Sequence, residues 1–229
     1  MENLLLKYMQ DRFSDPRNPP LQGSLPFLTV SREFGCPSKL ISQKLVEGLN
    51  QRLGRDAADK WQCINKEIVE ESARKLETSP SKIKYFFNAE RKGVLDDVLS
   101  SFSSDYTSST RVKKTIPEVI RSFTRRGHIV LVGRGGVAVT YGFPNSLHVR
   151  LQAPLEWRIR EVSARHDITQ IQAARKIAET DRKRIDLIEM LLCRKFDDSL
   201  FDLIINCQSF SQTDIIRMIL QAMENRGMI

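Results

Sequence analysis

The stretch Pro26–Leu49, PFLTVSREFGCPSKLISQKLVEGL, decides the fold. Phe27, Leu28, Thr29 and Val30 form a short apolar, partly β-branched run, the composition of a strand covered on both faces. Ser31 to Ser38 interrupts it with one Gly and one Pro. Beyond that loop Leu40, Ile41, Leu45 and Leu49 recur at helical spacing, so one face of a helix is buried. The first turn of a helix leaves amide N–H groups without internal partners, and the helix dipole adds partial positive charge there. A strand, tight loop and helix in this order therefore suit a phosphate at the junction. Ser38 is placed to cap the helix, Gly35 allows an approach that a Cβ would block, and Arg32 and Lys39 add full charges on either side. The strict phosphate-loop pattern has a second Gly directly before Lys, then Ser or Thr. Here Ser38 precedes Lys39 and Leu40 follows it.

Working outward, Trp61–Ile64 is a second strand candidate, and Asn65 is placed to cap a helix opening at Lys66 with Glu67 and Glu70 in its early turns. His128–Val132, HIVLV, is the clearest strand and runs straight into GRGG at Gly133–Gly136. A parallel sheet collects ligands beyond the carboxyl ends of its strands, which points Arg134 at the same crevice as the first loop. Leu147–Leu151 is a fourth strand closed by Ala153 and Pro154, with His148 read as a packed strand residue. Phe201–Asn206 is a fifth strand, and Thr213–Met223 a final amphipathic helix. Five strands alternating with helices imply an α/β sheet covered on both sides.

Three other regions read differently. Met1–Gly23 has an apolar stripe of Leu4, Leu5, Tyr8, Met9 and Phe13 followed by a Pro-rich linker, a packing arm or a possible homodimer contact. Lys66–Phe123 is mainly helical, broken by Ser100–Thr110, SSFSSDYTSST, which reads as a flexible connection or a flap over a substrate. Leu155–Cys193 carries arginines and lysines on two helices that break near Asp167–Thr169. Such charge runs are usually solvated faces with i,i+4 partners, yet the planar fork of arginine also suits phosphate oxygens.

The 229 residues give ample material for a core, and the 41% hydrophobic content fits a soluble globular protein. No apolar run reaches the roughly twenty residues that span a bilayer, and the expected location is the cytoplasm. Cys36, Cys63, Cys193 and Cys207 are scattered without metal-ligand spacing and are expected as reduced thiols. Cys63 and Cys207 sit in apolar runs, whereas Cys36 lies in the loop and becomes reactive if its pKa is lowered there. The net charge of +8 suits polyanions, but aromatics are only 7% and do not interleave with the basic residues. Phosphorylated small molecules account for the charge equally well, and nucleotides rather than nucleic acid are the expected partners.

Taken together, SREFGCPSK after the first strand, INKEIVEE after the second, VGRGG after the third, LHVRLQAPLEWRI across the fourth, and DRKR followed by FDDSLFDLIIN resemble the cytidylate kinase-like family of P-loop nucleoside monophosphate kinases. The resemblance implies a three-layer parallel five-stranded sheet of order 2-3-1-4-5, a helical insertion that binds the nucleoside monophosphate (about 66–123), and a helical lid (about 160–195) in a domain over 24–229. It implies phosphoryl transfer from ATP with Mg²⁺ to CMP, dCMP or a related nucleotide. By position, Arg32, Glu33, Gly35, Cys36, Pro37, Ser38, Lys39 and Arg158 would hold the ATP phosphates. Asn65 and Arg134 would face the acceptor, and Lys39, Arg182 and Arg184 would act at the transferred group. The sequence departs from the family in several places. Cys36, Pro37 and Ser38 replace the usual glycine-rich loop, Asn65 and Gly135 replace family aspartates, and Ile185 and Leu187 replace tyrosines. No Ser or Thr stands directly after Lys39, so the magnesium ligands are not assigned and Glu33, Ser38 and Ser42 are only candidates. A kinase-like protein that binds a nucleotide or other phosphorylated ligand without turnover is the alternative.

Overall fold

A computed structural model describes residues 25–53, 60–88 and 109–229. The expected arm at 1–23, with its homodimer contact, and most of the expected flap lie outside the described residues. Ser109 and Thr110, read as part of that flap, instead open a helix.

In chain order the elements are β1 (Phe27–Arg32), α1 (Ser38–Leu53), β2 (Gln62–Ile64), α2 (Lys66–Lys75), α3 (Pro80–Asn88), α4 (Ser109–Arg126), β3 (Ile129–Val132) and α5 (Gly136–Thr140). Then come β4 (Ser146–Gln152), α6 (Leu155–His166), α7 (Gln170–Leu192), a 3₁₀ turn (Asp198–Leu200), β5 (Leu203–Asn206) and α8 (Gln212–Asn225). The strands form one five-stranded sheet of order β2-β3-β1-β4-β5, every pair parallel. This is the order the family resemblance implied. No described helix is long and apolar enough to cross a membrane.

Both faces of the sheet are covered, which is why its strands read as apolar runs rather than alternating ones. Leu28, Val30, Val130, Leu147 and Val149 pack against Ile41, Leu45 and Leu49 of α1 and Ile215, Ile219 and Met223 of α8. On the other face Phe27, Ile129 and Leu131 meet Ile68 and Val69 of α2, Ile83 of α3, and Ile116 and Ile120 of α4. A separate small cluster ties Val162 of α6 to Ala173 and Ile177 of α7, with Phe34 packed against it. The helix break expected near residues 167–169 is built from a left-handed Asp167 closing α6 and a capping box of Thr169 with Gln172 opening α7. The α7 helix then runs unbroken for 23 residues, from that outlying cluster to the main core at Leu187 and Leu191.

His148 is 4% exposed and sits in a polar knot on the second face, its Nδ1 2.8 Å from Thr29 Oγ1 and its Nε2 3.3 Å from Ser146 Oγ. Its backbone N–H donates to Asp202 Oδ2 at 2.7 Å. Burial lowers the His148 pKa below the usual 6.5, outweighing the opposing pull of Asp202. A depressed imidazole stays neutral when folded while the unfolded chain takes up a proton, so stability falls as pH drops through 6.5 toward the folded value. Urea unfolding between about pH 7 and pH 5 should show a slope of at most roughly 1.4 kcal/mol per pH unit from this residue. The His148→Gln protein should lose that part of the slope.

Candidate active site

The loop after β1 is held mainly through its carbonyls. The strand continues two residues beyond Val30 because Ser31 and Arg32 pair with Arg150 and Leu151 of β4. Gly35 follows at φ +106°, and a Cβ on it would lie 3.1 Å from the Arg158 side chain. The helix begins at Ser38 itself, so Ser38 is its first residue rather than the expected cap. Its amide donates to the Cys36 carbonyl at 2.9 Å. Arg184 Nη1 donates to the Arg32 carbonyl at 3.0 Å, Arg158 Nη1 to that of Phe34 at 3.3 Å, and Arg165 Nη2 to that of Gly35 at 3.4 Å. Three arginines from α6 and α7 thus clasp the loop.

Carboxylates interleave with them. Glu33 accepts the Ala153 amide at 3.1 Å and lies 3.4 Å from Arg158 Nε and 3.7 Å from Arg150 Nη2. Asp181 of α7 accepts the Phe34 N–H at 2.7 Å and Arg158 Nη1 at 2.6 Å, with Arg184 Nη1 at 3.4 Å. Arg158 is only 8% exposed and touches both acids.

Beside this clasp the arginines outnumber their counter-charges. Arg32 is held down to a pKa of about 9, first by burial and then by repulsion from Arg184 and Arg134, with Asp181 offsetting part of it. Burial also lowers the pKa of Arg134 and of Arg184. Guanidinium groups so placed favour an anion among them. The turn that delivers Arg134 puts Gly133, Arg134 and Gly135 consecutively in the left-handed region. A Cβ on Gly133 would run into the Arg32 guanidinium, so the glycine makes room for the cluster. A cavity of about 60 Å³ lies behind it, lined by Arg32, Glu33, Arg150, Asp181, Arg184 and Phe196 among others. That volume is too small for a nucleotide and suits waters.

Arg134 also reaches the second strand. Its Nε donates to Asn65 Oδ1 at 3.2 Å and its guanidinium lies 5.0 Å from the centroid of the Phe87 ring. The expected side-chain cap by Asn65 is absent, because that oxygen is turned to Arg134. The Asn65 N–H is met instead by Glu67 Oε2 at 2.8 Å.

Of the residues singled out in the sequence, Arg32, Glu33, Gly35, Arg134, Arg158 and Arg184 come together, with Asn65 attached through Arg134. Cys36, Pro37 and Ser38 complete the loop. Two stand apart. Lys39 is exposed and makes no hydrogen bond or ion pair among the described residues. Arg182 is 73% exposed and pairs with Asp186 one turn on, the solvated-face pattern, so α7 carries it away from Arg184. Sequence reasoning placed none of Asp181, Arg165 and Arg150 at the site: in the sequence Asp181 reads only as an ion-pair partner, Arg165 as one of the helical arginines and Arg150 as a strand residue. Arg150 lies 3.0 Å from Asp198 and 4.6 Å from the centroid of the Phe196 ring, with its Nε unpartnered. The apolar positions Ala173, Ile177 and Ile188 fix which face of α7 turns inward, and Asp181 and Arg184 share it.

Cys36 does not have the lowered pKa that would make it reactive. Its thiol donates to Cys207, and this together with burial raises its pKa; the same bond lowers that of Cys207, whose burial is what shields it from reagent. Burial likewise raises that of Cys63. Cys193 is exposed at the end of α7. Brief treatment of the native protein with iodoacetamide should therefore alkylate Cys193 first and leave Cys36 and Cys207 unmodified until urea is added, as read by peptide mass spectrometry.

A parallel sheet that gathers arginines and a strand–loop–helix junction beyond its strand ends is that of a kinase-like α/β protein. The chain belongs to the cytidylate kinase-like family, whose profile matches residues 27–209. A search of curated proteins gives no match. Among solved structures, an uncharacterized protein from Eubacterium ventriosum aligns at 18% identity and a TM-score of 0.62, over 87% of this chain and 98% of that one. That likeness is one of fold. Shikimate kinase from Acinetobacter baumannii in complex with shikimate aligns at 15% identity and a TM-score of 0.46, over 88% of this chain and 94% of that one. Dephospho-CoA kinase from Campylobacter jejuni does so at 16% and 0.37, over 87% and 96%.

Proposed function

We propose that this chain is a cytoplasmic nucleoside monophosphate kinase, transferring the γ-phosphoryl group of ATP to CMP, dCMP or a related nucleotide. The observation that carries the reading is the convergence of Arg32, Arg134 and Arg184 where β1, β3 and α7 meet, with Arg32 pushed down to about 9. Phosphoryl transfer breaks the bond from the γ-phosphorus to the bridging oxygen and makes one to the acceptor oxygen, with negative charge spread over the group in flight. Little nucleophilic assistance is required. Alignment and charge neutralisation dominate, and preplaced guanidinium groups supply both. On this reading Arg32 and Arg184 meet the transferred group, and Arg134, braced by Asn65, orients the acceptor phosphate. Arg158 keeps the loop and α7 in register.

Mg²⁺ would enter with the nucleotide, since it is usually held by one or two carboxylates plus phosphates and waters. Glu33 fits as a protein donor through Oε1, which makes only a long 3.7 Å contact with Arg150, since Oε2 already accepts the Ala153 amide and faces Arg158. Ser42 does not, because it is 0% exposed inside the core. When bound, the ion would supply neutralisation of the phosphate charge.

Purified protein with ATP and Mg²⁺ should release ADP when CMP, dCMP or a related monophosphate is added. No ADP with CMP, dCMP, UMP or AMP contradicts the reading. A second reading, a nucleotide-binding protein without turnover, is favoured by exposed Lys39 and by loop amides already met within the protein. Calorimetric binding of ATP with no ADP formed would select it.

A further inference from the structure

We propose that Asp181 is a built-in stand-in for a phosphate oxygen, which holds the loop and lid helices together until an anionic ligand takes over its donors. The inference rests on the anion-site reading and concerns how that site is kept when empty.

The partners of Asp181 are those a bound phosphate takes. Its Oδ1 accepts the Phe34 N–H at 2.7 Å, an amide of the loop itself, and Oδ2 accepts Arg158 Nη1 at 2.6 Å. Arg184 Nη1 stands 3.4 Å from Oδ1. A backbone N–H beside two guanidinium groups is an oxyanion cradle. No other described acid reaches it in this way. Glu33 accepts a different amide, that of Ala153, and meets Arg158 at Nε rather than Nη1.

The position of Asp181 on α7 gives the contact a consequence. The helix is continuous from Gln170 to Leu192, with Ala173 and Ile177 in the α6 cluster and Leu187 and Leu191 in the main core. Asp181 lies between these two anchorages, so the bond to Phe34 fixes the middle of the helix to the loop. Arg150 is paired with Asp198 and Arg165 with Glu161, which leaves around it Arg32, Arg134, Arg158 and Arg184, four cations, against Glu33 and Asp181, two anions. The carboxylate therefore leaves a local excess of positive charge that a polyphosphate, with more charge and more oxygens, neutralises better. The residue is a positioning group that competes with ligand for the same donors.

The test uses inorganic tripolyphosphate and the intact chain. Calorimetry should find it bound about tenfold tighter by Asp181→Asn than by the unaltered protein, because the asparagine keeps an acceptor for Phe34 N–H but withdraws the competing charge. In the unaltered protein, the ¹H–¹⁵N signal of Phe34 should move on titration and saturate with the calorimetric binding curve. This second readout needs no variant to fold. Unchanged or weaker binding by the folded Asp181→Asn protein overturns the inference and leaves the anion site standing. So does a Phe34 signal that stays still while heat reports binding. Failure of both proteins to bind tripolyphosphate overturns the inference and the anion-site reading together.

Discussion

Replacing Arg184 with methionine is expected to lower the rate of ADP formation by about 10²–10³-fold, the usual consequence of withdrawing one preplaced donor from a developing oxyanion. Arg182→Met should change it less than about twofold. The two residues stand two positions apart, about two hundred degrees around a helix, and that angle decides their fates. Arg184 is turned to the Arg32 carbonyl and to Asp181, while Arg182 is solvated beside Asp186. Steady-state kinetics with ATP and the accepted monophosphate compares them. The Arg182 variant serves as the control because both substitutions remove one arginine from the same helix. Equal losses in the two variants would mean that α7 presents another face when substrate is bound.

The second large effect is on stability. Arg158→Met should cost about 3 kcal/mol, because it removes the cation shared by two partly buried carboxylates rather than replacing a whole ion pair. Glu33 and Asp181 would each lose a partner, at 3.4 and 2.6 Å respectively. The carbonyls of Ala153 and Phe34 would lose a donor as well. For a domain of this size the melting temperature should fall by roughly 6–12 °C. Arg158→Lys should recover only part of this, since a single ammonium cannot reach the positions met separately by Nε and Nη1. Calorimetric melting of the three proteins checks the order.

The sheet was readable because both of its faces are buried. Runs such as Phe27–Val30 and Ile129–Val132 stay apolar along their length, and the helices between them show their buried stripe. The strand order was not in those runs and came from the family resemblance. At the site, Arg32, Gly35 and Arg134 could be found because each lies at or just beyond the carboxyl end of a strand, where chain direction fixes the end of the sheet it reaches. The contribution of α7 was harder to read. DRKR places basic residues on more than one side of a helix, and choosing among them needs the helix phase, set by Ala173, Ile177 and Ile188. Asp181 was legible only as an ion-pair partner, because its bond to the Phe34 N–H joins residues 147 positions apart. Arg150 was equally hidden, since its place depends on the register of β4 against β1. The departures from the expected caps at Ser38 and Asn65 differ in origin. Both residues lie beside the crevice, but only Asn65 loses its capping oxygen to a tertiary partner, Arg134, whereas Ser38 already forms the first residue of the helix.

The central claim is that polyphosphate is held at the β1–α1 junction by guanidinium groups from β1, β3 and α7. A crystal structure of the chain with a non-hydrolysable ATP analogue, Mg²⁺ and CMP tests it most directly. The account predicts phosphate oxygens within hydrogen-bonding distance of Arg32 and Arg184, with the acceptor phosphate on Arg134. Nucleotide bound elsewhere, with these three arginines in contact only with protein, would contradict it.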